Sequence, residues 1–165
     1  MTERERVDQM SSTDQSDLQQ GAPTTCLDLM TDNATCCLPS DTVVAATRSM
    51  RDEDVGSVPV VDEQQRLLGI ITDRDVALRV VAEGYDPGDT TVQEVMTRHP
   101  VTCRPDDDMR RALDLMALHQ VRRIPVVGDG QRLLGIIAQA DIATRMNSPR
   151  RIATVVEDIS QPSAG

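Results

Sequence analysis

Apolar and polar positions follow one another in the same order twice along this chain, at a spacing of 66 residues. Each copy begins with a helical pattern. Val44, Thr47 and Met50 lie at helical spacing, and Ser40 or Asp41 is the predicted N-cap of a helix running to about Arg51. Met109, Ala112, Leu113 and Met116 form a cleaner apolar stripe in the second copy. Two short β-branched runs come next, Val58 to Val61 and Leu67 to Ile71. The polar stretch from Asp62 to Arg66 between them reads as a hairpin loop, and Gly128-Asp129-Gly130 makes the same turn in the second copy. A second helix is expected over about 73–82, and again over about 139–147. Short extended segments near 35–37 and 101–103 lead into each copy.

The echo is literal in places. Gln65-Arg66-Leu67-Leu68-Gly69-Ile70-Ile71 recurs letter for letter as Gln131-Arg132-Leu133-Leu134-Gly135-Ile136-Ile137. Asp28-Leu29-Met30-Thr31 is mirrored by Glu94-Val95-Met96-Thr97, Pro39-Ser40-Asp41 by Pro105-Asp106-Asp107, and Val58-Pro59-Val60-Val61 by Ile124-Pro125-Val126-Val127. All these matches share one register, which is the signature of internal duplication. One unit of this length buries too little surface to be stable alone, so the two are expected to pack together about a pseudo-twofold axis, sheet to sheet.

The division that follows is a disordered N-terminal tail over 1–23, a first repeat over 24–84, a second over 85–147, and a C-terminal helix and tail over 148–165. The turn-rich stretch from Glu83 to Asp89 joins the repeats. In the last segment Ser148-Pro149 reads as a helix start, and Ile152, Val155, Val156 and Ile159 fall on one face.

Composition narrows the function. The net charge is −10 and all 17 basic residues are arginine, a balance that disfavours non-specific binding to nucleic acid or an anionic membrane. Phe and Trp are absent and Tyr85 is the single aromatic residue, so the core is aliphatic and base-stacking platforms for single-stranded nucleic acid are nearly excluded. No run of about 18 apolar residues suggests a membrane span, and the polar N-terminus lacks a secretion signal, so the expected compartment is the cytoplasm. Cys26, Cys36, Cys37 and Cys103 show no metal-ligand spacing, and neither His99 nor His119 stands near one at zinc spacing, so no metal is predicted. There is no nucleophile–base pair and no phosphate-cradling glycine loop, and the expectation is a protein that is not an enzyme.

The motifs Leu29-Met30-Thr31, Val58-Pro59-Val60-Val61 and Leu68-Gly69-Ile70-Ile71-Thr72-Asp73-Arg74-Asp75 resemble those of tandem cystathionine-β-synthase-type (CBS) domains, the pair known as a Bateman module. The likeness covers about residues 27–147, and Gln120 to Val126 is similar to a stretch of small stand-alone bacterial members. The resemblance implies an α+β fold, a homodimer, and regulatory binding of an adenosine-containing ligand such as AMP, ADP or ATP. It also implies that Asp75 contacts ribose hydroxyls and Thr72 contacts phosphate, while Val58, Pro59, Thr35 and Cys36 line the base pocket. A carboxylate suits a vicinal diol, and a hydroxyl at a helix start lies where phosphate is welcome. Arg74 is adjacent, and Arg122 or Arg123 is placed to reach the same cleft. The second copy departs from the pattern: Asp141 persists, but Ala138 replaces the Thr and Gln139-Ala140 replaces Asp73-Arg74, which weakens its phosphate half.

Thr72-x-x-Asp75 also scans as a capping box. The persistence of Asp141 without a Thr partner argues that the carboxylate serves more than the cap. Three functions stay open: a nucleotide sensor that signals to an unidentified regulated protein, an interaction protein with a degenerate site, and a thiol redox switch using Cys36, Cys37 or Cys103.

Overall fold

A computed structural model describes residues 24–145. The expected tail over 1–23, and the expected C-terminal helix around Ile152 and Ile159, lie outside the described residues.

The first repeat opens with α1 (Cys26–Leu29) and β1 (Thr31–Asp32), then α2 (Val43–Asp52), β2 (Ser57–Val61) and β3 (Leu67–Thr72). It closes with α3 (Asp73–Val76), which widens into a π-helical turn over Ala77–Val81. The second repeat runs α4 (Val92–Val95), β4 (Thr97–Arg98), α5 (Met109–His119), β5 (Arg123–Val127), β6 (Leu133–Ala138) and α6 (Gln139–Arg145). The N-cap of α2 is Thr42, one residue beyond the predicted pair. The reason is local: the Asp41 carboxylate accepts from the Leu38 amide at 2.7 Å, closing the preceding turn, and leaves the Thr42 hydroxyl to accept from Ala45 N–H. Asp108, the repeat equivalent of Thr42, caps α5, its carboxylate accepting from Arg110 N–H at 2.7 Å.

The helices α1 and α4 are only four residues long, too short to form alone. Each is started by a capping box, Thr25 with Asp28 and Thr91 with Glu94. Those hydrogen bonds hold both carboxyls below their ordinary range.

The strand order shows how the repeats are joined. One sheet is β2-β3-β4 and the other is β1-β6-β5. The lead strand of each repeat therefore pairs with the other repeat's sheet: Thr31 faces Ile136, and Thr97 faces Ile70. These two pairings are images of each other under the 66-residue shift. The isolated bridges Thr25 to Asp108 and Thr42 to Thr91 are also a reciprocal pair. Arg66 bridges its own equivalent, Arg132, which places that contact on the pseudo-twofold axis.

The cores follow the exchange. Cys26 and Leu29 of the first repeat are buried with Ala112, Met116, Ile124 and Ile137 of the second. Val92, Val95 and Met96 are buried with Val43, Ala46, Val58 and Ile71 of the first. Burying a side chain such as Leu29 contributes about 1.5–3 kcal/mol, so each lead helix stabilises the other repeat.

Candidate functional site

The site grows from the strand-to-helix turn at the end of β3. Thr72 leaves the strand extended (φ −118°, ψ 161°) and caps α3. Its hydroxyl accepts from Asp75 N–H at 3.1 Å and donates to Asp75 Oδ2 at 2.8 Å. Asp75 Oδ2 also accepts from Thr72 N–H at 3.0 Å, completing a capping box. Asp75 is 9% exposed, unusual for a carboxylate.

Strand β2 lies beside this turn. The Asp73 amide donates to Gly56 O at 3.0 Å, and Ser57 stands opposite Thr72 in the ladder. Side chains alternate along a strand, so Ser57 and Pro59 face away from the core side occupied by Val58 and Val60. Ser57 and Thr72 are cross-strand neighbours on that outer face. Ser57 is 6% exposed, and among the described residues its hydroxyl is the buried side-chain polar atom with no hydrogen-bond partner. Buried polar groups normally have a hydrogen-bond partner, so this hydroxyl stands out beside Thr72.

The lead-in segment closes the group. Cys37 N–H donates to Pro59 O and Val61 N–H donates to Cys37 O, both at 3.0 Å, which fixes Thr35 and Cys36 alongside β2. Thr35 is exposed, and Cys36 is half-buried with its thiol on Ala34 O.

The structure thus places Thr72 and Asp75 at one end of the first sheet, with Pro59 two residues along β2 and Thr35 and Cys36 in the segment bridged to β2 through Cys37. Val58 is on that strand, but its side chain is fully buried in the core, facing away from Thr72. Arg74 is exposed beside the turn. Arg123 belongs to the second sheet, opposite Ala138. There Asp141 Oδ2 accepts from Ala138 N–H at 3.1 Å. The carboxylate half of the box therefore forms without a threonine, and the persistence of Asp141 does not by itself separate a ligand role from a cap.

Arg79 escaped the sequence reading. Its guanidinium is 3.4 Å from Asp75 Oδ1 and donates to Val95 O at 2.6 Å. The i,i+4 spacing of Asp75 and Arg79 signals the ion pair, but a backbone carbonyl leaves no mark in the sequence. Ser57 was equally silent, because an unpaired hydroxyl is visible only after folding. A surface cavity of about 470 Å³ is lined by Arg79 itself, with Leu78, Tyr85, Thr90 and Val95 among others. Its lining does not include Ser57, Thr72 or Asp75, and the Glu94 carboxylate on its wall is already bound to Thr91.

The cysteines are free thiols. Burial pushes Cys37 up to about 12 and raises Cys36. Cys26, absent from the redox reading, is buried with Cys103 inside the second core. Their proximity lowers Cys26 and raises Cys103, and the Cys103 thiol lies on Pro125 O. Reactivity follows the thiolate fraction and access. At pH 8 the native protein is expected to take up iodoacetamide slowly, with Cys36 first, and all four thiols should react in guanidinium. Rapid native labelling of Cys37 or Cys103, read by mass spectrometry, would contradict this packing.

Among the described residues no group of three or more His, Cys, Asp or Glu is arranged to hold a metal ion, and no helix is long and apolar enough to cross a membrane.

Comparison with known proteins agrees with the geometry. The family profile of the CBS domain matches residues 26–82 and 92–148. The chain is 41% identical over 133 residues to a CBS domain-containing protein, YhcV, of Bacillus subtilis, spanning 81% of this chain and 93% of that one. It is 35% identical over 141 residues to hypoxic response protein 1 of Mycobacterium tuberculosis, spanning 86% and 97%. Among solved structures, a hypoxic response protein I with two coordinated zinc ions superimposes with a TM-score of 0.69 at 36% identity, covering 74% of this chain and 99% of that one. A CBS domain pair in complex with 5′-methylthioadenosine and S-adenosyl-L-methionine superimposes with a TM-score of 0.68 at 26% identity, covering 74% and 95%.

Proposed function

Because this chain belongs to the CBS domain family, with two CBS domains in tandem, we propose that it is a non-enzymatic regulatory module whose first cleft takes an adenosine-containing ligand of the AMP, ADP or ATP class. Occupancy shifts the packing of the repeats, and a regulated partner protein reads the shift. A ligand can drive such a shift only through differential affinity for two states. The working form is a cytoplasmic homodimer.

The observation that carries this reading is the group at the end of the first sheet: the buried carboxylate of Asp75, the Thr72 hydroxyl bound to it, and the unpartnered Ser57 hydroxyl across the ladder. Asp75 takes the ribose diol, Thr72 and Arg74 the phosphate, and Pro59, Thr35 and Cys36 flank the base. A likeness to a CBS pair that holds two adenosyl ligands supports the ligand class. In the second cleft Asp141 stands where Asp75 does, and Arg123 supplies the positive charge that Ala140, in place of Arg74, cannot.

One observation favours the alternative of an interaction protein with a degenerate site. Both Asp75 oxygens already have partners, Thr72 on one and Arg79 on the other. Thermal shift with AMP, ADP, ATP, NAD(H) and S-adenosylmethionine decides between them. Asp75→Asn is the informative variant, since an amide oxygen still accepts from the Thr72 amide and preserves the cap. A nucleotide at about 100 times its Kd stabilises the wild type by about 2.7 kcal/mol. The variant is expected to lose that response. If no compound stabilises the wild type at millimolar concentration, the alternative holds. If Asp75→Asn responds equally, the ligand lies elsewhere.

A further inference from the structure

The guanidinium of Arg79 touches two things that belong to different parts of the molecule. One is Asp75 Oδ1, at 3.4 Å, in the first repeat's cleft. The other is Val95 O, at 2.6 Å, the last residue of α4. The final carbonyls of a helix have no partner within it, and a basic side chain commonly satisfies them. Val95 is not an ordinary helix end, however. It is buried in the first repeat's core although it opens the second repeat, and it is followed at once by β4, the strand donated across the pseudo-twofold.

We infer that Arg79 is a positioning residue that couples occupancy of the first cleft to the exchanged segment over residues 92–98. The inference rests on the proposed contact between Asp75 and a ribose diol. Asp75 Oδ2 already accepts from the Thr72 amide and hydroxyl. A diol arriving at this carboxylate must therefore donate to Oδ1, the oxygen paired with Arg79. That pair is long and the Arg79 side chain is 48% exposed, so it yields more readily than the 2.6 Å bond to Val95. The two hydroxyls of a diol together fill both acceptor positions of Oδ1, so Arg79 loses its anchor in the cleft and keeps its bond to α4. The α4–β4 segment then loses its link to Asp75, while its strand pairing with Gly69 and Ile70 and the bonds from Val92 N–H to Asp41 O and Gln93 N–H to Pro39 O persist. The device is a tether cut at one end by the ligand. In sequence, Asp141 and Arg145 repeat the spacing of Asp75 and Arg79.

The test is hydrogen exchange on the full chain with and without AMP, alongside calorimetric titration of AMP. In the wild type, AMP is expected to change the exchange rate over 92–98 by about fivefold or more, the low end of usual coupling between sites. In Arg79→Met, which keeps the aliphatic stem, AMP affinity should rise by about fivefold, because no ion pair at Asp75 has to be broken, while the response over 92–98 disappears. Arg79→Lys, whose single ammonium cannot span both acceptors, should behave like the Met variant. The same response in both variants as in wild type, with AMP bound, overturns the coupling and leaves the ligand assignment standing. Failure of AMP to bind the wild type removes the ligand assignment, and the coupling with it. 2′,3′-Dideoxy-AMP provides the last arm: it lacks the diol, so it should leave 92–98 unchanged, and an undiminished response to it also overturns the inference.

Discussion

Alanine at Gly69 or at Gly135 is expected to destabilise the protein by about 3 kcal/mol, the upper part of the range for forcing extra volume into a packed site. A Cβ on Gly69 would lie 2.7 Å from Thr97 O and 2.7 Å from Met96 Sδ. A Cβ on Gly135 would lie 2.6 Å from Thr31 O and 3.0 Å from Met30 Sδ. A methionine side chain can turn aside, but the carbonyls belong to β1 and β4, the strands exchanged between repeats. Relieving the clash means separating a strand from its sheet. For a domain of this size the cost corresponds to a fall in Tm of about 10 °C. Gly128→Ala is the control, because the nearest atoms there are the flexible end of Leu134, at 3.3 Å. If Gly69→Ala melts with Gly128→Ala in a thermal scan, the close approach of the exchanged strands is wrong. The glycine of the repeated motif thus has a structural reason independent of any ligand: it lets the other repeat's backbone come near.

The second large effect concerns where the chain can be cut. A fragment over 24–84, one repeat as the sequence divides it, is expected to lack a cooperative melt. It omits Val92, Val95 and Met96, which are 0%, 4% and 7% exposed in the first repeat's core, and it carries a lead helix with nothing to cover. At about 1.5–3 kcal/mol for each buried side chain, the loss is comparable to the whole stability of a small domain. A fragment over 33–98 keeps that core and the complete β2-β3-β4 sheet. It should show more ordered secondary structure by circular dichroism and a sigmoidal thermal transition. The opposite ranking would mean that the lead helices do not supply the core across the axis.

Much of this molecule was readable beforehand because its causes are local. The helical stripes, the β-branched runs and the turn residues between them are short-range preferences, and the 66-residue echo repeats them. The helix start moved from Ser40 or Asp41 to Thr42 because two neighbouring side chains compete to accept from nearby amides, and the turn at Leu38 took Asp41. The pairing of Thr72 with Asp75 was legible for the same local reason. Its meaning was not, since a capping box and a ribose acceptor need the same carboxylate.

The sequence by itself determined a duplicated α+β unit, an aliphatic core, an acidic chain whose basic residues are all arginine, and a strand-to-helix turn more polar in the first copy, Thr72 to Asp75, than in the second, Ala138 to Asp141. Only the tertiary structure decided which strand pairs with which sheet. Thr31 has the same residue type and neighbours wherever it pairs, and its partner Ile136 lies more than a hundred residues away. The same holds for Arg79 on the Val95 carbonyl, for Ser57 left without a partner, and for the Cys26 thiol against Cys103. Each depends on distance in space between groups whose separation in sequence carries no signal, and one of them is a backbone atom that every residue possesses.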